Sequence, residues 1–416
     1  MPTMTGADRF QLFLDTDGRK NTGIGNVIKT HIILEGILTR EHITEIISKN
    51  KAIEYLSSLT IKRKWYTFKL FWVVDKKPKI DKIISYSESK TIQELISKAL
   101  KYDCIPNNNS PIHFNAIIDT EQKQTHIIIS VNHSLLDYAG MELLLKSFSK
   151  AFSNLILQKS PPKPFPILKR LLQTAQATAF VAKRSGWNIQ RLGKTSVSSI
   201  PDFRQIKISN EELQSGNNSS ETGSLPRYLA CSVYALNKNT TIFKDNKLPI
   251  FIPVPLNRRA ENYKMVLLSN RFSFLFFRAN AGDLQNVKRL EKIFLQQMIL
   301  QAKQNMPEKF ESLLSIFSLL PNFIYRAFLN LPSKGHSSTF AFSNLSISIL
   351  DNGSFLGMKV IDFSHYPPFL SPPGLNLVIM EMKDGIKILS SYDSTRISNE
   401  NANLLLQDIK SNLINS

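Results

Sequence analysis

The chain has 416 residues, 42% apolar and 20% charged, a balance that excludes wholesale disorder and a membrane-embedded body. That length exceeds one simple core and implies two domains or two large subdomains. The 52 Lys and Arg against 33 Asp and Glu leave a net charge of +19, which suits an anionic partner (nucleic acid, phospholipid, a CoA-type phosphate, an acidic carrier protein) or a lysine-rich solvated surface.

The lysines are scattered, which favours the solvated surface, and no zinc-finger spacing or RNP-like aromatic run supports nucleic acid. Cys104 and Cys231 are the only cysteines. They form no CxxC pair, so neither a disulfide framework nor a thiolate metal site is expected. The first residues, MPTMTGADRFQLFLD, lack the charged start and apolar run of a secretory signal. No run of about eighteen apolar residues follows, so the expected location is cytoplasmic.

In chain order, the branched apolar run Ile28 to Leu38 reads as a strand, and Glu41 to Lys51, with Ile43, Ile46 and Ile47 at helical spacing, as a helix. Trp65 to Val74 reads as a strand and Ser89 to Leu100 as a helix. A hairpin follows, with arms Asn115 to Asp119 and His126 to His133 around the polar TEQKQ. Met141 to Leu157 then carries Leu143, Leu144, Leu145, Phe148, Phe152 and Ile156 at helical spacing, so the residues around His133 stand where a strand passes into a helix.

Ser160 to Pro166 (SPPKPFP) cannot continue a helix and marks a boundary. The implied organisation is a first subdomain over 1–160, a crossover over 161–200 and a second subdomain over 201–416. Ile167 to Lys194 mixes apolar with basic residues. It reads either as an amphipathic helix touching a membrane or as a linker helix, the linker being preferred because such helices usually face a protein core. Gln214 to Ser224 reads as an exposed loop. Helix resumes at Leu225, strands are expected at Ile250 to Val254 and Arg271 to Arg278, and the helical text from Leu284 to Asn330 breaks near Pro307 and Pro321. A second hairpin, Asn376 to Glu381 and Ile386 to Asp393, repeats the shape of the first and suggests two similarly built halves.

The chemistry-bearing segment is Asn132-His133-Ser134-Leu135-Leu136-Asp137-Tyr138-Ala139-Gly140. A histidine at a strand end can take a proton from a hydroxyl or amine near neutral pH. Asp137 can pin the loop through a distant arginine, and Gly140 allows close backbone packing or an unusual dihedral at the helix start. Taken alone, HxxxD is a common spacing, and a lone histidine is more often structural. The other histidines, His31, His42, His113, His126, His336 and His365, show no metal spacing, and HExxH, P-loop and GxGxxG motifs are absent.

The segment resembles the HHxxxDG signature of the chloramphenicol-acetyltransferase-like superfamily, which includes condensation domains, alcohol acetyltransferases and wax ester synthase/diacylglycerol acyltransferases. Further segments match in order: Ile252 to Arg259 (IPVPLNRR), Leu268-Ser269-Asn270, Phe342-Ser343-Asn344-Leu345-Ser346, and the final PPGLNLVIMEMKDGIKILSSYD. The resemblance implies an α/β (α+β) fold of two subdomains, each a central sheet flanked by helices, with an active-site tunnel between them.

It further implies His133 as the general base that deprotonates the acceptor, which then attacks an acyl thioester, and Asp137 as the loop-holding partner of Arg258 or Arg259. Ser343 and Asn344 become candidate donors to the tetrahedral oxygen, and Tyr138, Gly140 and Asn270 candidate substrate contacts. No permanently bound cofactor is implied. The co-substrate is acyl-CoA or an acyl carrier thioester, the acceptor a small molecule or lipid, with peripheral membrane contact an option. The leading expectation is acyl-CoA-dependent ester or amide formation. The alternatives are a carrier-dependent condensation-type enzyme and a non-catalytic binding protein of the same fold. Three positions depart from the signature: Asn132 for the first His, Tyr138 for Gly, and Ser346 for the Gly after Ser-Asn-Leu. A positive φ at Tyr138 would be strained, and a ring in the tunnel would narrow it.

Overall fold

The computed structural model describes residues 3–63, 69–74, 80–107, 110–149, 155–159, 166–185, 189, 192, 199–215, 224–239, 248–268, 270–321, 323–325, 327, 338–351 and 353–415. The elements in order are α1 Gly6–Thr22, β1 Val27–Glu35, α2 Arg40–Lys49, α3 Lys51–Ser57, β2 Leu59–Arg63, β3 Leu70–Val74, β4 Ile84–Ser89, α4 Gln93–Leu100, β5 Ile112–Asp119, β6 Gln124–Asn132 and α5 Tyr138–Lys146. There follow α6 Ile167–Ser185, β7 Pro201–Ser209, α7 Asn210–Ser215, α8 Ser224–Lys238, β8 Ile250–Asn257, β9 Phe272–Ala279, α9 Val287–Lys303, α10 Met306–Phe317, β10 Ala341–Leu345, β11 Ser354–Phe355, β12 Met358–Tyr366, β13 Leu375–Met382, β14 Gly385–Asp393 and α11 Asn399–Asn415.

Two compact units result. The first is Met1–Lys163 with Asn257–Phe272 and Ile347–Pro368; the second is Pro164–Leu256 with Ser273–Ser346 and Phe369–Ser416. A contiguous division at residues 160 and 200 therefore misplaces two segments. Residues 347–368 join the first unit because β12 completes its sheet.

The sheet of the first unit runs β11-β12-β1-β6-β5-β4. β1 lies between β12 and β6, antiparallel to both, and β5 and β6 form the expected hairpin. β1 and β6 are buried along most of their length, as strands covered on both faces should be. β4 adds in parallel beyond β5. It ends at Ser89, read as the first residue of a helix, and α4 begins only at Gln93.

Three other expectations shift here. α5 stops at Lys146, where the Ser147 hydroxyl bonds back to the Leu144 carbonyl at 2.6 Å and accepts from Asn50 Nδ2 at 3.0 Å. Ile156 then lies in an isolated bridge to Val266 rather than on a helix, and Phe152 lies outside the described residues. Of the expected strand Trp65 to Val74, β3 is its end, paired with β2, and residues 64–68 lie outside the description.

α1 went unrecognised in the sequence because its buried residues include Asp8, Arg9, Gln11 and Asp15, the reverse of an amphipathic pattern. Its end signals were present all the same. Thr5 and Asp8 form a capping box, and Gly23 closes the helix at φ 76°.

The second unit holds a sheet ordered β10-β13-β14-β7, with the second hairpin at its centre. Every residue of β14 is buried. Ile388 and Leu377 pack in one core with Leu229 and Val233 of α8, Phe294 of α9 and Leu405 of α11. α9 and α10 break at Asn305, in the left-handed conformation at φ 51°, and Pro307 stands in the first turn of the new helix, where a missing amide costs nothing. α6, the first 19 residues of the segment Ile167 to Lys194, packs on α10 within this unit. Trp187, Arg191 and Lys194, the proline boundary at 160–165, and most of the loop expected at 214–224 lie outside the described residues. Among the described residues no helix is long and apolar enough to cross a membrane, and no cluster of three or more His, Cys, Asp or Glu is placed to hold a metal.

Candidate active site

β6 ends at Asn132, and the chain turns tightly, with the Leu135 amide donating to the Asn132 carbonyl at 2.9 Å. His133 sits in this turn, its own amide donating to the Asn26 carbonyl at 2.8 Å. Its Nδ1 lies 2.9 Å from the Leu136 carbonyl. A carbonyl can only accept, so Nδ1 carries the proton and Nε2 keeps its lone pair in the neutral ring. Burial holds the ring's pKa below the ordinary histidine value, against the opposing pull of the Leu136 carbonyl.

Gln11 of α1 faces that lone pair, its Nε2 3.4 Å from His133 Nε2. The amide is oriented by Asn26, whose Nδ2 donates to Gln11 Oε1 at 2.7 Å and to the Gln11 carbonyl at 3.2 Å. The NH₂ group of Gln11 is thereby turned toward the ring.

Asp137 caps α5, accepting from the Gly140 amide at 2.8 Å. The same carboxylate accepts from Arg259 Nη2 at 2.7 Å and from the Arg271 amide at 3.0 Å. Of the two candidate arginines, Arg259 is the partner. Its side chain is 3% exposed and its Nη1 also donates to the Val266 carbonyl at 2.5 Å, whereas Arg258 is exposed and contributes its amide to the Arg271 carbonyl at 2.8 Å. Gly140 serves close packing, not an unusual dihedral. A Cβ there would stand 3.1 Å from Leu136 Cδ2, 3.2 Å from Arg259 Nη2 and 3.3 Å from Asp137 Oδ1, crowding the ion pair.

Asn270, read as a substrate contact, is 1% exposed. Its Nδ2 donates to the carbonyls of His133 at 3.0 Å and Ser134 at 2.9 Å, so it clamps the histidine loop from behind. Its amide in turn reaches Asp8 Oδ1 at 3.2 Å, a carboxyl that burial pushes up to about 6. Ser269 lies outside the described residues. Asn132, in place of the first histidine, is fully buried. Its Nδ2 donates to Asp15 Oδ1 at 2.8 Å and the Cys104 carbonyl at 3.0 Å, while its Oδ1 accepts from the Ser134 amide at 3.1 Å and hydroxyl at 2.6 Å.

An imidazole cannot offer two donors and a doubly used acceptor in that space. Asn132→His is therefore expected to lower stability by about 1–3 kcal/mol without raising activity. Chemical denaturation of the two proteins checks it.

Tyr138 is the first residue of α5, and no positive φ occurs there. Its ring meets His365 edge-on, with centroids 5.1 Å apart. Its hydroxyl couples to Glu142 and Ser348, and burial raises its pKa. His365 continues the chain, Nδ1 lying 2.8 Å from Thr30 Oγ1 and Nε2 3.3 Å from Glu142 Oε1. The order resembles a hydrolytic triad, but Thr30 is 1% exposed in mid-strand. The array is a buried polar network that seats Tyr138, its Glu142 carboxylate also accepting from the Ser348 hydroxyl at 2.7 Å. Ser343 and Asn344 belong to the second unit, on β10, which pairs in parallel with β13. Asn344 Nδ2 lies 3.5 Å from Glu381 Oε1 there.

No family model matches the chain, and no curated protein matches it. Solved structures do. The trichothecene 15-O-acetyltransferase of Fusarium sporotrichioides superposes with a TM-score of 0.69 at 11% identity, over 99% of this chain and 94% of that one. The wax ester synthase/diacylglycerol acyltransferase of Marinobacter aquaeolei VT8 gives 0.62 at 13% identity, over 99% and 98%. The starter condensation domain of rhizomide synthetase, bearing two substitutions and solved with C8-CoA and Leu-SNAC, gives 0.66 at 12% identity, over 99% and 94%. The chain has the chloramphenicol-acetyltransferase-like fold.

Within this chloramphenicol-acetyltransferase-like fold, the residues that support His133 were largely hidden in the sequence. Gln11, Asn26 and Asp8 come from an unread helix and its exit, and Arg271 contributes a backbone amide, which no side-chain motif can reveal. The capping box at Thr5 and Asp8 and the closing Gly23 were the available signals for that region.

Proposed function

We propose that this protein is an acyltransferase that moves an acyl group from a thioester, acyl-CoA in the leading case, to a hydroxyl or amine acceptor. The observation that carries this reading is the His133 ring, with Nδ1 engaged by the Leu136 carbonyl and Nε2 left as a base within a clamped loop. His133 Nε2 takes the proton of the acceptor as its oxygen or nitrogen attacks the thioester carbonyl. The tetrahedral intermediate collapses, the C–S bond breaks, and the departing thiolate recovers the proton from the imidazolium. Asp137 and Arg259 hold the loop through this cycle, and Asn270 serves with them as a positioning residue. Tyr138 is assigned to the substrate-facing end of α5.

Two results test the reading. Incubation with an acyl-CoA series and a panel of alcohols and amines, followed by mass spectrometry, should yield acylated product and free CoA. In addition, kcat/KM should fall as pH drops through the His133 pKa, because the base must be unprotonated. Burial depresses that pKa, so the acid limb should inflect below about 6.5. An inflection above 7 would remove His133 as the base.

The net charge of +19 favours a second reading, in which an acidic acyl carrier protein delivers the thioester. Faster turnover from acyl carrier than from the matching acyl-CoA, lost at high salt, would select it.

A further inference from the structure

α6 is turned inside out. Its inward face carries Gln173, which donates to Glu308 Oε1 at 2.8 Å and accepts from the Ser312 hydroxyl at 2.6 Å, with the small Ala177 buried and Phe180 half-buried beside it. Its outward face carries Ile167, Leu168, Leu171 and Leu172, exposed by 66%, 78%, 48% and 61%. Ala175, Ala179 and Ala182 continue that face, also exposed. A helix that faces only solvent shows the opposite arrangement, and a contiguous apolar ridge of this kind marks a contact surface.

The charges select the occupant. α6 contains Lys169, Arg170, Lys183 and Arg184 and not one acidic residue. Lys169 and Lys183 lie exposed along one edge of the apolar ridge, Lys169 Nζ also standing 3.5 Å from Glu308 Oε1 of α10. A second copy of the chain would bring the same cations against these, within a molecule of net charge +19. The ridge is convex and aliphatic, lacking the aromatic anchors that protein interfaces favour. Apolar aliphatic residues edged by lysines on a helix of 19 residues, about 28 Å long, match a helix lying in the headgroup region of a bilayer.

We propose that the outward face of α6 docks the protein on an anionic phospholipid surface, with Leu168, Leu171 and Leu172 entering the acyl boundary and Lys169 and Lys183 meeting phosphate. The proposal stands apart from acyl transfer, since binding is measured without turnover.

The test is co-sedimentation of the full chain with sucrose-loaded vesicles of phosphatidylcholine alone or with added phosphatidylglycerol. Binding to the anionic vesicles is expected, weaker on phosphatidylcholine and weakened by salt. Leu168→Ser with Leu172→Ser should reduce partitioning by roughly tenfold or more, with an unchanged melting temperature because both side chains are exposed. Absence of binding to anionic vesicles, or equal binding by the double variant, overturns the proposal. So does a dimer in sedimentation velocity that the double variant abolishes while neither protein binds vesicles, and so does binding to poly-L-glutamate alone.

Discussion

Replacing His133 with alanine is expected to lower kcat for acyl transfer by about 10²- to 10⁴-fold while leaving the fold and KM nearly unchanged. The loop is held by main-chain contacts: the His133 amide to the Asn26 carbonyl at 2.8 Å, and the His133 and Ser134 carbonyls to Asn270 at 3.0 and 2.9 Å. None of these is lost in the variant. Steady-state CoA release, set beside circular dichroism of the same preparation, separates loss of the base from loss of structure. Activity within twofold of the parent would remove His133 from the mechanism.

The second large effect lies at Arg259. Arg259→Ala leaves Asp137 a buried carboxylate whose remaining partners are two backbone amides, those of Gly140 and Arg271, and an unpaired buried charge typically costs about 3–5 kcal/mol. A drop of that size in urea denaturation, with a parallel loss of activity, is expected. Arg258→Ala should change stability by less than about 0.5 kcal/mol, because its side chain is exposed. Similar effects of the two substitutions would show that the ion pair does not carry the loop. Arg259→Lys should recover only part of the loss, since one ammonium cannot serve both Asp137 and the Val266 carbonyl with Arg259's planar geometry.

The contrast between these two residues shows where the sequence was legible. The hairpin ending at His133 was visible because Ile127, Ile128, Ile129 and Val131 are buried branched residues, and burial on both faces leaves an unmistakable apolar run. The second hairpin was visible for the same reason. That Asp137 would hold the loop through an arginine was read from the motif, whereas its capping of α5 at the Gly140 amide was not. Adjacent arginines, by contrast, differ only in which side of a turn they occupy, and that is fixed by tertiary contacts. α1 was opaque because it buries polar side chains, so hydropathy counts against it. α6 misled in the opposite way: its apolar pattern was read as a core-facing stripe, yet the leucines face outward and a glutamine faces in.

The placement of β12 bears on how the molecule must be made. β1 lies between β6, which follows it by about a hundred residues, and β12, which follows by more than three hundred. The carboxylate that caps the helix after His133 likewise waits for Arg259 and Arg271. During synthesis the first half of the chain therefore emerges with β1 open along one edge, and it stays so until Tyr366 has cleared the ribosome. Pairings of this separation close slowly, and an open apolar edge invites misassembly in the interval. A fragment ending at residue 163 should accordingly aggregate when expressed alone. A permuted chain that begins at β12 and leads into β1 should build its histidine-bearing sheet sooner than the natural order allows.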